Sequence, residues 1–440
     1  MLLGLNLPGR NFRRTLGPML TIVYALALLL QGGVLNAPER LLLASLGLLF
    51  VLKTWSLLNL DQAEVKAYPK LGLLLYSYLW PGIDPSPFSV RTASDDSKMK
   101  WFAQGFPTMC FGIACVLFLS LGFEALSGAE VGIGGILAIL LIVHFGFSDI
   151  LSSLLNLLGF SVPRLFDRPL MSRSLNDFWT HRWNRPFVEM NRLLFRPTLQ
   201  RFLGPKAVVF GLFFVSGLLH ELAISFPVGG GWGGPLLYFL LHGGLMLAER
   251  SMGTKSWPRM LGSAWTFFWV LGPLPVLFHE PFRKALVLPL FEQFHAWPPL
   301  STQDAFFAWV LTLAGCGHFL VLCASFQVPG RLNWSEELTR LRPLNRKLLW
   351  TYGLYIVGMI TTLGILILYL HAEMLAGEKG AVAVLFVTTI FWWGRIIVDG
   401  FYFEHSDWPE GPEFVIGHTC LTTLFVTIAS ICTAVLIRVT

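Results

Sequence analysis

Charge is what this chain has least of. Only 13% of its 440 residues are Asp, Glu, Lys or Arg, about half the share of a soluble domain. That deficit excludes a water-soluble globular body and implies that most of the surface faces lipid. Cysteine is also scarce. The six residues, Cys110, Cys115, Cys316, Cys323, Cys420 and Cys432, lie in apolar runs and form no CxxC pair. Neither a zinc site nor a disulfide framework is suggested, and they read as small buried apolar side chains. No tandem repeat, low-complexity tail or small-residue cleavage site stands out. Arg10, Arg13 and Arg14 precede an apolar run from Pro18, which is expected to be an uncleaved first helix. The formal net charge is a modest +6, suited to anionic headgroups or an anionic cofactor. No soluble basic domain exists to carry nucleic acid.

What the chain has is hydrocarbon. Hydrophobic residues make up 54%, with 16 Trp and 37 Phe, and mean hydropathy is +0.63. Apolar runs of membrane-spanning length predict helices at 18–35, 40–58, 106–126, 133–160, 207–226, 235–248, 260–278, 305–326, 348–371, 381–398 and 414–438. The fold class expected is an all-α polytopic membrane protein of about eleven crossings, within a range of about nine to thirteen. A short apolar piece, Leu71–Trp80, ends in Pro81-Gly82 and reads as interfacial or re-entrant. Ser148-Asp149 interrupt the run 133–160, so its second half is expected along the interface. Lys and Arg collect in cytoplasmic loops. With the N-terminus inside, the basic loops, above all 161–206, fall on the cytoplasmic side.

Segment 161–206 carries nine basic residues against three acids, interleaved with Phe178, Trp179, Trp183, Phe187, Phe195 and Phe202. It reads either as ordinary positive-inside bias or as a basic entrance for an anionic cofactor. Ser174 followed by Asp177 reads as a helix N-cap, starting a helix that carries Trp179, Trp183 and Asn184. The next helix holds Ser216, Gly217, His220 and Glu221. An ionisable side chain at membrane depth is a functional-site hypothesis by default. Ser216 and His220, four apart, share a helix face. Ser216 either fixes the imidazole tautomer or packs the helix. Gly217 leaves room for a neighbouring backbone or a substrate chain. Glu221 points away and reads as structural, pairing with an Arg of the basic segment. His242 and Glu249 share a face of the following helix and could flank the same cavity. Asp149, Ser152 and Asn156 form a polar face that either packs or lines a tunnel. The loop 405–410 (His-Ser-Asp-Trp-Pro-Glu) reads as a polar interfacial loop rather than a hydrolase site.

Residues 174–186, Ser-Leu-Asn-Asp-Phe-Trp-Thr-His-Arg-Trp-Asn-Arg-Pro, and 213–221, Phe-Phe-Val-Ser-Gly-Leu-Leu-His-Glu, together resemble the membrane-bound O-acyltransferase superfamily, in its wax-synthase-like branch. They are also similar to the diacylglycerol and sterol acyltransferases. The resemblance is specific over 170–227 and generic elsewhere. It implies one domain over 1–440, a helix bundle around an internal tunnel, acyl-CoA as co-substrate from the cytosolic side, and a lipophilic hydroxyl acceptor from the membrane. No permanently bound cofactor or metal is implied. Mapped onto this chain, His220 is the catalytic base and Asn184 the second catalytic residue, steadying the thioester carbonyl or orienting the acceptor. Ser216, Trp179, Trp183, Arg182, Arg185 and His242 are the candidates for binding substrate. The competing reading is a proton-coupled transporter of lipids or small molecules that uses the same histidine. Oligomeric state, acyl length and acceptor identity are not legible.

Overall fold

The structure is a computed structural model that describes residues 10–30, 35–297, 302–404 and 411–440. The loop 405–410 lies outside them. Among the described residues all regular structure is helical. The chain divides into two compact units, one running to Leu119 and resuming over Phe123–Glu292, the other formed by Ser120–Gly122 and Gln293–Thr440.

The first unit holds α1 (Arg10–Leu30), α2 (Ala37–Leu58), the short α3 (Lys70–Tyr78) and α4 (Met99–Leu121, whose last two residues group with the other unit). It continues with α5 (Gly128–Leu157), α6 (Arg185–Met190), α7 (Pro205–Val228), α8 (Gly234–Met252) and α9 (Arg259–Leu277). Their starts follow local chemistry. Asn36 caps α2: its side chain accepts from Glu39 N at 3.0 Å, and Glu39 returns the bond to Asn36 N at 2.9 Å. Ser127 and Glu130 repeat this reciprocal box at α5.

Nine helices among the described residues are long and apolar enough to cross a membrane. Two further helices of the sequence count fall short of that mark. The apolar part of α1 is the shorter stretch Thr15–Leu30. Helix α8 carries His242, Glu249 and Arg250 within 19 residues. The expected break at Ser148-Asp149 does not end α5, which stays helical through a π-turn segment at Leu140–Phe147. Its polar face is a packing face: Asp149 accepts from Arg164 Nε at 2.7 Å, and Asn156 Nδ2 donates to the Val162 carbonyl at 2.9 Å. Gly217 lets α7 meet α8 backbone to side chain. A Cβ there would lie 2.8 Å from Leu236 Cδ1 and 3.0 Å from its Cα, so the space serves a neighbouring helix.

A core of Val131, Ile136, Ile224, Tyr238, Phe239, Leu274 and Leu277 joins α5, α7, α8 and α9. The second unit is built by α10 (Gln303–Ser325), α11 (Pro343–Leu375), α12 (Lys379–Phe401) and α13 (Pro412–Val439). There His318 is spent on structure: Nδ1 donates to the Ala314 carbonyl at 2.7 Å, and Nε2 accepts from Trp392 Nε1 at 2.9 Å.

Candidate active site

The basic segment folds into short pieces, each with its own anchor. Ser174 caps the first, accepting from Asp177 N at 3.0 Å. The helix widens into a π turn over Phe178–Arg182 and stops at Trp183. Asn184 therefore leaves that helix and begins α6, with a left-handed backbone at φ 45. Asn tolerates this conformation better than other residues with a Cβ, though less well than Gly. Asn184→Ala is expected to cost about 1 kcal/mol more stability than Asn184→Gly, measured by thermal unfolding. The glycine variant then reports the loss of the amide alone.

Buried carboxylates hold these pieces in place. Glu249, on α8, accepts from the backbone amides of Leu175 and Asn176 at 2.8 and 3.0 Å, and from Trp265 Nε1 at 3.1 Å. Glu189, on α6, accepts from the amides of Ile83 and Asp84 at 3.1 and 3.2 Å. Burial raises the Glu189 carboxyl above the ordinary range, and those two amides oppose the rise. The turn 80–84 is gripped from its other side by Lys53, whose ammonium donates to the carbonyls of Tyr76 and Trp80. Glu221 is buried, as a structural residue should be, but its partner is no Arg. Its Oε1 accepts from Gly233 N at 2.9 Å and Leu236 N at 3.0 Å, fixing the start of α8.

His220 sits between two aromatic rings, with Phe187 at 4.9 Å and Phe239 at 4.2 Å between centroids. Its Nδ1 lies 2.7 Å from the Ser216 carbonyl. A carbonyl only accepts, so Nδ1 carries the proton and Nε2 keeps its lone pair. Ser216 sets the tautomer with its backbone oxygen.

Two cavities meet at this histidine. The larger, about 760 Å³, is lined by Asn176, Trp179, Thr180, Trp183, Asn191, Arg196, Ser216, Met246 and Arg250 among others. The smaller, about 510 Å³, is lined chiefly by apolar side chains such as Leu48, Leu52, Val143, Leu165 and Phe166. Asn184, Phe187 and His220 line both.

The other sequence candidates divide. Trp179, Trp183 and Ser216 line the larger cavity. Arg182 is tied down by Asp177 at 2.8 Å, and the backbone amide of Arg185 donates to Leu165 O at 3.0 Å; neither lines either of these two cavities. His242 is fully buried, donates Nδ1–H to Tyr238 O at 2.8 Å, and packs against Trp179, away from both linings. Arg196 and Arg250 are exposed, have no ion-pair partner among the described residues, and line the larger cavity. Sequence reading passed over them in favour of arginines nearer the aromatic cluster. Among the described residues no cluster of three or more His, Cys, Asp or Glu could hold a metal.

A family model described as "Membrane bound O-acyl transferase family" matches residues 162–241. The chain is 33% identical over 113 residues to "Probable long-chain-alcohol O-fatty-acyltransferase 1" of Arabidopsis thaliana, an overlap of 23% of this chain and 33% of that protein. It is 30% identical over 138 residues to "Acyl-CoA--sterol O-acyltransferase 1" of the same plant, 28% of this chain and 39% of that one. The chain spans about a third of the length of the first curated relatives it matches. The matched segment contains Asn184, His220 and the shared wall of the two cavities, and over that stretch its similarity to the family model and to these relatives supports a place in the membrane-bound O-acyltransferase superfamily, in its wax-synthase-like branch.

Proposed function

We propose that the protein is an O-acyltransferase that esterifies a lipophilic alcohol with the acyl group of acyl-CoA. One observation carries the reading: a cavity bordered by Arg192, Arg196 and Arg250 and an apolar cavity share a wall at Asn184, Phe187 and His220. A two-substrate transfer needs such a meeting point between a charged donor and an oily acceptor. The larger cavity takes the CoA part, with Arg196 and Arg250 facing its phosphates. The smaller takes the acceptor. Nε2 of His220 accepts the hydroxyl proton as the oxygen attacks the thioester carbonyl. A C–O bond forms, the C–S bond breaks, and the leaving thiolate takes up that proton as the free thiol. The Asn184 amide donates to the carbonyl oxygen as charge grows there, or else holds the acceptor. Trp179 and Trp183 wall the donor side, Ser216 holds the base, and Arg182, Arg185 and His242 support the elements around it. The N-terminus and the basic segment lie on the cytoplasmic side, where acyl-CoA is found.

The test is thiol release from acyl-CoA by purified protein offered a panel of alcohols. Release that depends on the alcohol supports the reading. Movement of lipid across vesicles with no thiol release would replace it by transport. Arg196→Ala and Arg250→Ala are each expected to raise KM for acyl-CoA about three- to tenfold at low salt, an effect that shrinks as ionic strength rises. Initial-rate kinetics at two salt concentrations measure this.

A further inference from the structure

The smaller cavity is an oily slot with one feature that oil does not need. Beyond Asn184 and His220, its polar lining is Ser45, His144 and Ser148. Ser148 is spent, its hydroxyl donating to the His144 carbonyl. His144 is not spent. The helical histidines His220, His242 and His318 all donate Nδ1–H to the carbonyl four residues back. His144 stands in the π-turn segment Leu140–Phe147 of α5, where the five-residue ladder offsets that carbonyl, and its Nδ1 is buried with no partner among the described residues. Such π turns recur at functional sites. The ring is steadied edge-on by Phe166 at 5.1 Å. With Nδ1 enclosed, the rest of the ring is what meets the cavity, so Nε2 is the polar atom of His144 that an occupant can engage at this depth.

We propose that His144 is a second polar anchor in the acceptor cavity, donating Nε2–H to an oxygen of the acceptor other than the reacting hydroxyl. With no acceptor in reach of Nδ1, the proton is better held on Nε2, where a ligand oxygen can receive it. The two histidines then offer opposite polarity to one molecule. His220 accepts the reacting O–H, and His144 donates to a hydroxyl or ester oxygen further along. The acceptor class this selects is a lipophilic alcohol with a second oxygen, such as a long-chain diol or a partial glyceride, in preference to a plain alkanol. This rests on the assignment of the smaller cavity to the acceptor.

The experiment measures equilibrium binding of tritiated 1-hexadecanol, 1,2-hexadecanediol and 1,2-dipalmitoylglycerol to full-length His220→Ala protein, where binding is read without turnover. At least one two-oxygen probe is expected to bind roughly tenfold more tightly than hexadecanol. Adding His144→Phe, which keeps a ring against Phe166, is expected to remove that preference and leave hexadecanol binding as it was. His144→Gln, which keeps a donor, is expected to restore part of it. The same order should appear in kcat/KM when His220 is intact. No preference for either two-oxygen probe, or an equal loss for all three probes in His144→Phe, overturns the proposal. A binding preference without thiol release from the wild type would leave the anchor standing and remove the transfer reaction instead.

Discussion

Replacing His220 by alanine is expected to lower acyl transfer by about 10²–10⁴-fold, the usual share of a positioned general base. The tautomer makes the argument specific. Nδ1–H is held by the Ser216 carbonyl at 2.7 Å, so the free nitrogen is a lone pair and the ring can take a proton at once. Between Phe187 and Phe239 the imidazole has little freedom to turn away. His220→Gln fills much of the same space and keeps polar atoms, but has no basic nitrogen. It should fall as far as alanine does. KM for acyl-CoA should change little in both variants, since the cations at the donor cavity are untouched. The assay is thiol release at saturating acyl-CoA, with the melting temperature of each variant as a check on folding. A well-folded alanine variant that turns over at the wild-type rate would sink the base assignment.

Glu249→Ala is expected to cost about 3–5 kcal/mol of stability, because it strips three buried N–H donors of their acceptor. The carboxylate receives three N–H donors, two from the start of the signature segment and one from Trp265. Alanine would leave all three buried without an acceptor, at about 1–3 kcal/mol each before relaxation. Glu249→Gln retains one acceptor oxygen but turns an amine toward a donor, so its loss should be smaller and still measurable. Thermal unfolding in detergent, with and without acyl-CoA, gives the comparison. Because the segment pinned by Glu249 runs on to Trp179, Trp183 and Asn184, activity should be lost below the unfolding temperature as well. An unchanged melting curve for the alanine variant would mean that the three donors find other partners.

The contrast between these residues shows what a sequence carries. His220 stands out on its own, because an imidazole inside an apolar run is anomalous within one element. Ser174 is legible for the same reason: a cap and the amide it serves are three residues apart. Glu249 is not legible, since its partners are 74 and 73 residues away. Glu189 reaches across 106 positions to Ile83, and nothing local distinguishes it from an acid on a solvated face. Arg182 and Arg185 lie in the right stretch, yet Arg182 is tied to Asp177, five residues before it. Arg196 and Arg250 line the cavity, and no spacing rule connects them. Ser148-Asp149 interrupt the apolar run without ending α5, and Arg164, 15 residues on, folds back to meet Asp149, a partner that the local pattern does not reveal.

By itself, then, the sequence determined the all-α membrane class, most of the apolar helices, the cap at Ser174 and the histidine worth asking about. Hydropathy and helix period are properties of single elements, and a chain states them locally. Only the tertiary structure decided that Asn184, Phe187 and His220 form one wall between a basic and an apolar cavity. It also decided which carbonyl fixes the imidazole of His220, and that Nδ1 of His144 has no partner among the described residues. A periodic pattern tells which face a helix turns inward; what that face meets is set by packing between elements far apart in the chain.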